Sequence, residues 1–101
     1  MSFKLIIKQE AHLDTIDAYN YYEENQLGLG EKFLLSLQKR YEDLIKHPNN
    51  YSSINEDETL KLRDVLLDTF PYLVVFEIIK DEVIVYAIHN THKHPNKKKR
   101  K

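Results

Sequence analysis

Cysteine is absent from the sequence. That excludes structural disulfides, thiolate metal sites and cysteine nucleophiles, so packing alone must stabilise the fold. Long apolar runs are absent too: nothing approaches the roughly 18 residues of a membrane span, and no charged-then-apolar N-terminal segment resembles a secretory signal. The expectation is a cytoplasmic protein with no membrane partner. At 101 residues, 42% hydrophobic and 11% aromatic, the chain can fill one modest core but not two.

Positive charge is scarce over most of the chain. Residues 1–92 carry nine Lys and Arg against sixteen acids, and the remaining six bases lie in residues 93–101. The formal net charge of -1 therefore conceals a body of -7 and a tail of +6. A globally basic nucleic-acid binder has a different balance. Contact with nucleic acid would have to be local, because an acidic body opposes long-range steering to a polyanion.

What is present reads as alternating periods. Residues 3–8, FKLIIK, form a short strand pattern, and from Gln9 and Glu10 the apolar residues Leu13, Ile16, Tyr19 and Tyr22 recur at helical spacing. The pattern stops at ENQLGLG, where both glycines, Gly28 and Gly30, can supply a flexible connection. Phe33, Leu34, Leu37, Tyr41, Leu44 and Ile45 predict a second helix, ended at His47-Pro48. Tyr19, Tyr22 and Tyr41 fit packing between the helices, with Tyr21 off that face. A polar stretch follows, with one short strand expected around Tyr51–Ile54. Residues 60–67, 72–79 and 83–89 are then three strand-like runs. Lys80-Asp81-Glu82 is short enough to join the last two as an antiparallel hairpin, and Phe70-Pro71 ends the strand before them. The fold class expected is α+β: an N-terminal strand, an α-helical hairpin, then three or four antiparallel strands in one sheet. A single domain should span residues 1–95, with a basic tail over 96–101.

That order, together with HLDTIDAYNYY, EKFLLSLQKRYEDLIKHP, LRDVLLDTFPYLVVFEI and VIVYAIHNTHKHP, resembles the RelE/ParE superfamily of bacterial toxins from type II toxin–antitoxin modules, also known as plasmid stabilisation proteins. The resemblance spans nearly the whole chain. It implies a sheet packed on the helical hairpin, an active or target-binding surface on the concave side of the sheet, and a cognate antitoxin that wraps the toxin. RelE-like members cut messenger RNA in the ribosomal A site, whereas ParE-like members poison DNA gyrase, so the fold alone leaves the target open.

Cleavage through a 2′-hydroxyl needs a proton acceptor, a proton donor to the leaving oxygen, and cations for the charge developing on phosphate. By the resemblance, Lys61, Arg63, Tyr86, His89, His92 and Lys93 occupy the comparable places. Arg63, on the strand before FPY, matches the family's arginine; its guanidinium suits bidentate phosphate binding, and equally an ion pair with Asp64 or Asp68. The last strand departs from the pattern, with Asn90 where relatives carry a histidine and Lys93 where they carry an arginine. Asparagine is neither acid nor base. His89, His92 and His94 are the available substitutes, although histidines at a strand end commonly serve only as surface residues. His92 and His94 lack a well-placed third ligand, so no metal is expected, and no other cofactor is implied. Tyr86 should share a strand face with Ile84 and Ile88, where it either packs or stacks on a base.

In the tail, Lys97, Lys98 and Arg100 offer sequence-independent phosphate contacts, or are simply solvated. Three functional expectations follow. The first is a ParE-like toxin that inhibits growth by binding a target such as DNA gyrase. The second is a ribosome-dependent endoribonuclease using Arg63, Lys93 and His89 or His92. The third is a non-toxic module kept for antitoxin binding. DNA would be reached only through the antitoxin.

Overall fold

The computed structural model describes residues 2–50 and 62–92. Four strands and two long helices appear in the order β1 (Lys4–Ile7), α1 (Gln9–Asn25), α2 (Leu29–Lys46), β2 (Arg63–Leu66), β3 (Tyr72–Ile79) and β4 (Glu82–Asn90), with one 3-10 turn at Pro48–Asn50. The helical hairpin and the three antiparallel strands are as the sequence predicts. The expected strand at Tyr51–Ile54 lies outside the described residues.

The sheet order is β1-β4-β3-β2. β3 pairs antiparallel with both β2 and β4, whereas β1 joins parallel to β4, so the sheet is mixed. Lys4 N donates to Asp81 O at 2.8 Å and Lys8 N to Val85 O at 2.9 Å, which anchors β1 at both ends. β1 stops opposite Val85, and beyond it the outer edge of β4 is covered by α1. There the carboxylate of Asp14 accepts the Ile88 amide at 2.9 Å, replacing the missing strand partner.

Both helices lie against one side of the sheet. Ala11 and Ala18 of α1, Phe33, Leu37 and Leu44 of α2, and Val74, Phe76, Val83 and Val85 of the strands form the buried centre. Tyr22 closes one end of it against Phe33, Phe70 and Tyr72, with ring centroids 4.9–6.1 Å away. The spacing of large apolar residues in α1 misleads: Leu13 and Ile16 remain 49% and 42% exposed, and the residues that face the sheet are the alanines. Small side chains let the helix approach the strands closely, which turns its bulkier residues outward.

Gly28 stands at the N-cap of α2 with φ 90°, a left-handed conformation that favours glycine. Gly30 is different from the expected linker residue. It is buried in the first turn of α2, where a Cβ would lie 2.8 Å from the ring and the carbonyl oxygen of Tyr19. The carboxylate of Glu23, on α1, accepts both the Gly28 amide at 3.0 Å and the Gly30 amide at 2.9 Å. One side chain thus caps the following helix and fixes the turn.

Candidate functional site

The sheet has two unlike sides, and register decides which candidate residues share one. In an antiparallel pair, residues directly opposite point to the same side. Arg63 is opposite Phe76 and Val65 opposite Val74, both fully buried beneath the helices, so Arg63 belongs to the helix-facing side of the edge strand β2. His89 is opposite Leu73 on the other side, and is exposed. The arginine and the histidine that the sequence offers for one phosphate site therefore stand in different layers. Lys61, Lys93, Lys97, Lys98 and Arg100 lie outside the described residues.

Tyr86 also departs from expectation. The ladder between β3 and β4 shifts between Val75 and Phe76: Val75 is opposite Ala87, Phe76 opposite Val85, and Tyr86 is the extra residue. Such a bulge bends the strand and re-aims a side chain. Ile88 consequently packs under the helices opposite Val74, while Tyr86 faces the open side with Ile84 and Ala87. There its hydroxyl donates to Glu77 Oε1 at 2.6 Å. That bond to a carboxylate, assisted by burial, raises the Tyr86 phenol above its ordinary value of 10.0.

The side away from the helices is, among the described residues, apolar with an acidic overlay. The half-buried Leu73 and Val75 and the buried Ile84 lie at its centre, and Leu66 and Ile79 are 53% and 41% exposed at its margins. Its ionisable groups among the described residues are Asp64, Glu77, Glu82, Tyr86 and His89, with Lys4 at the end of β1. Burial raises the Asp64 carboxyl above its ordinary 3.8, as expected of a charge on an apolar strand surface.

A cleft of about 390 Å³ opens where β4 ends against α1, lined by Asp14, Asp17, Tyr21, Tyr72, His89 and His92 among others. Asn90 holds this corner together: its amide donates to the Tyr72 hydroxyl at 3.2 Å and its oxygen accepts the His92 amide at 2.8 Å. Thr91 adds two bonds to the carbonyl of Pro71, from its amide at 2.8 Å and its hydroxyl at 3.0 Å. Burial, with the neighbouring Tyr22, pushes the Tyr72 phenol up to about 12, so it is a poor proton acceptor near neutrality. Among the described residues no cluster of His, Cys, Asp and Glu is placed to hold a metal ion.

On the opposite layer, a groove of about 340 Å³ runs between the outer faces of the helices, lined by His12, Thr15, Ile16, Tyr19 and Leu34. Leu13 and Leu35 are further exposed apolar residues of the two helices. α1 carries five carboxylates, Glu10, Asp14, Asp17, Glu23 and Glu24, and neither Lys nor Arg.

Residues 5–95 match the sequence model of the family described as "ParE toxin of type II toxin-antitoxin system, parDE". The chain belongs to this family. A solved structure titled "Chromosomal ParDE TA system from P. aeruginosa" is similar to this ParE-family chain with a TM-score of 0.76 and 16% identity, over 90% of this chain and 98% of that one. That likeness is one of fold. No curated protein matches the chain. Among the described residues, no helix of this ParE-family chain is long and apolar enough to cross a membrane.

Glu77 is the residue of this face that the sequence did not single out. Its signal was present in YLVVFEII, a lone carboxylate in an otherwise apolar strand. Its partner could not be found from alternation alone, because the bulge at Tyr86 is what brings the two side chains to the same face.

Proposed function

We propose that the chain is the toxin subunit of a type II toxin–antitoxin module, acting in the cytoplasm in the ParE-like manner by binding a target such as DNA gyrase. One observation carries this reading: among the described residues, the side of the sheet away from the helices is apolar and acidic, and Arg63 is on the far side from His89. Phosphate cleavage calls for cations and a proton carrier converging on one atom. An apolar surface bearing carboxylates suits a protein instead.

The partner that neutralises it is a cognate antitoxin, whose amphipathic segment occupies the groove between the helices. Ile16, Tyr19 and Leu34 supply the apolar floor, and the acidic balance of residues 1–92 calls for basic residues in the segment. DNA contact during self-repression belongs to the antitoxin.

Pulse labelling of DNA and protein synthesis after induced expression in a bacterial host tests the reading. DNA synthesis is expected to stop first. If protein synthesis stops first and Arg63→Ala or His92→Ala abolishes cleavage of ribosome-bound message, the chain is an endoribonuclease and this reading fails. Unimpaired growth would leave only the antitoxin-binding module.

A further inference from the structure

Described residues of both helices cover one side of the sheet and leave the other uncovered, and that uncovered side has a built centre. The bulge sets Tyr86 and Ala87 on it together, and the Tyr86 hydroxyl fixes Glu77 at 2.6 Å between apolar neighbours. A carboxylate has two oxygens, and the hydroxyl occupies one. The surroundings, Val75 and Ile84, offer it no compensating charge. A carboxylate held rigid in an apolar patch, next to an aromatic face, matches a guanidinium: the second oxygen accepts its N–H groups and the ring stacks beneath its plane.

Taking the target-binding reading as its basis, we infer that the Glu77–Tyr86 pair is the anchor for an arginine of the toxin's protein target, seated among apolar side chains that pack on the half-buried Leu73 and Val75. Charge decides between protein and nucleic acid. Asp64, Glu77 and Glu82 repel phosphates, and among the residues paired in the described ladder Lys4 alone opposes them on this side, at the sheet edge. Interface anchors of the kind proposed are commonly arginine and tyrosine in desolvated surroundings.

The full-length chain is compared with Glu77→Lys, Glu77→Gln and Tyr86→Phe in two readouts, growth arrest on induction and inhibition of supercoiling by purified DNA gyrase. Binding to the antitoxin and thermal melting report on the fold. Glu77→Lys is expected to lose potency by about a hundred-fold and Glu77→Gln by about ten-fold, the scale of a charge-assisted contact, with antitoxin binding unchanged. Tyr86→Phe frees the carboxylate and should fall between wild type and Glu77→Gln. If Glu77→Lys does not fold, the isosteric Glu77→Gln decides. Full potency in Glu77→Gln overturns the proposal, as does a rise in RNA cleavage in Glu77→Lys, which would mean a polyanion occupies the face. If the wild-type chain arrests growth without touching gyrase, the gyrase reading fails, while loss of arrest in the Glu77 variants still upholds the anchor. A wild-type chain that does not arrest growth overturns both.

Discussion

A hydrogen in place of a methyl at residue 30 decides how closely the two helices approach. Because a Cβ there would meet both the ring and the backbone oxygen of Tyr19 at 2.8 Å, rotating the tyrosine cannot relieve the clash. Gly30→Ala is expected to destabilise the fold by about 1–3 kcal/mol despite alanine's better helix propensity, read as a lower urea midpoint. Asp64 supplies a test of opposite sign. Its folded pKa lies above 3.8, so the folded state holds the proton more tightly than the unfolded chain. Stability then falls as pH rises from 3.8 through the folded value, and the penalty persists at neutrality. Asp64→Asn should raise the melting temperature modestly at pH 7, and a pH series should show the gain vanishing below 3.8. Neither effect was legible in the sequence. Gly30 reads there as part of a flexible connection, and the burial of Asp64 depends on which side of β2 it occupies.

Whole elements were far more legible, because strand and helix periods are local properties. Tyr72–Ile79 and the run from Val83 announce themselves by β-branched and aromatic content, and the helical hairpin by its 3.6-residue spacing. The orientation of α1 was not legible, since Ala11 and Ala18 are as periodic as Leu13 and Ile16 and only tertiary packing selects between them. The pairing of β1 with β4 is likewise a long-range choice. Glu23 shows how one element sets the start of the next, its carboxylate closing two amides at the head of α2. Glu23→Ala should cost about 1–2 kcal/mol, as for loss of a helix cap, with a matching rise in amide exchange at Gly28 and Gly30. Glu23→Gln, which keeps one acceptor but not the charge, should recover part of that loss.

The molecule has two layers and, in consequence, two unlike exposed surfaces facing opposite ways. The groove on the helices carries Ile16, Tyr19 and Leu34 with His12 and Thr15, whereas the sheet presents Glu77 and Tyr86 in an apolar field. If the antitoxin is held chiefly by the first and the target by the second, the two affinities are separable by mutation. Leu34, 38% exposed on α2, is suited to separate them because it lines the groove while the core beneath is built from Phe33 and Leu37. Leu34→Glu places a carboxylate on the apolar floor of the groove and buries it under the apolar side chains that dock there. Antitoxin affinity should fall by about two orders of magnitude, measured by titration calorimetry, through the cost of an unpaired buried charge. On the proposed gyrase reading, inhibition by the free variant should stay within about two-fold of wild type, since distant sites without shared partners act independently. In cells the same change should make the toxin harder to neutralise, so that co-expressed antitoxin restores growth to the wild type but not to Leu34→Glu. Loss of gyrase inhibition in a folded Leu34→Glu chain would instead mean that the target reaches around to the helices, and that antitoxin and target compete for one surface.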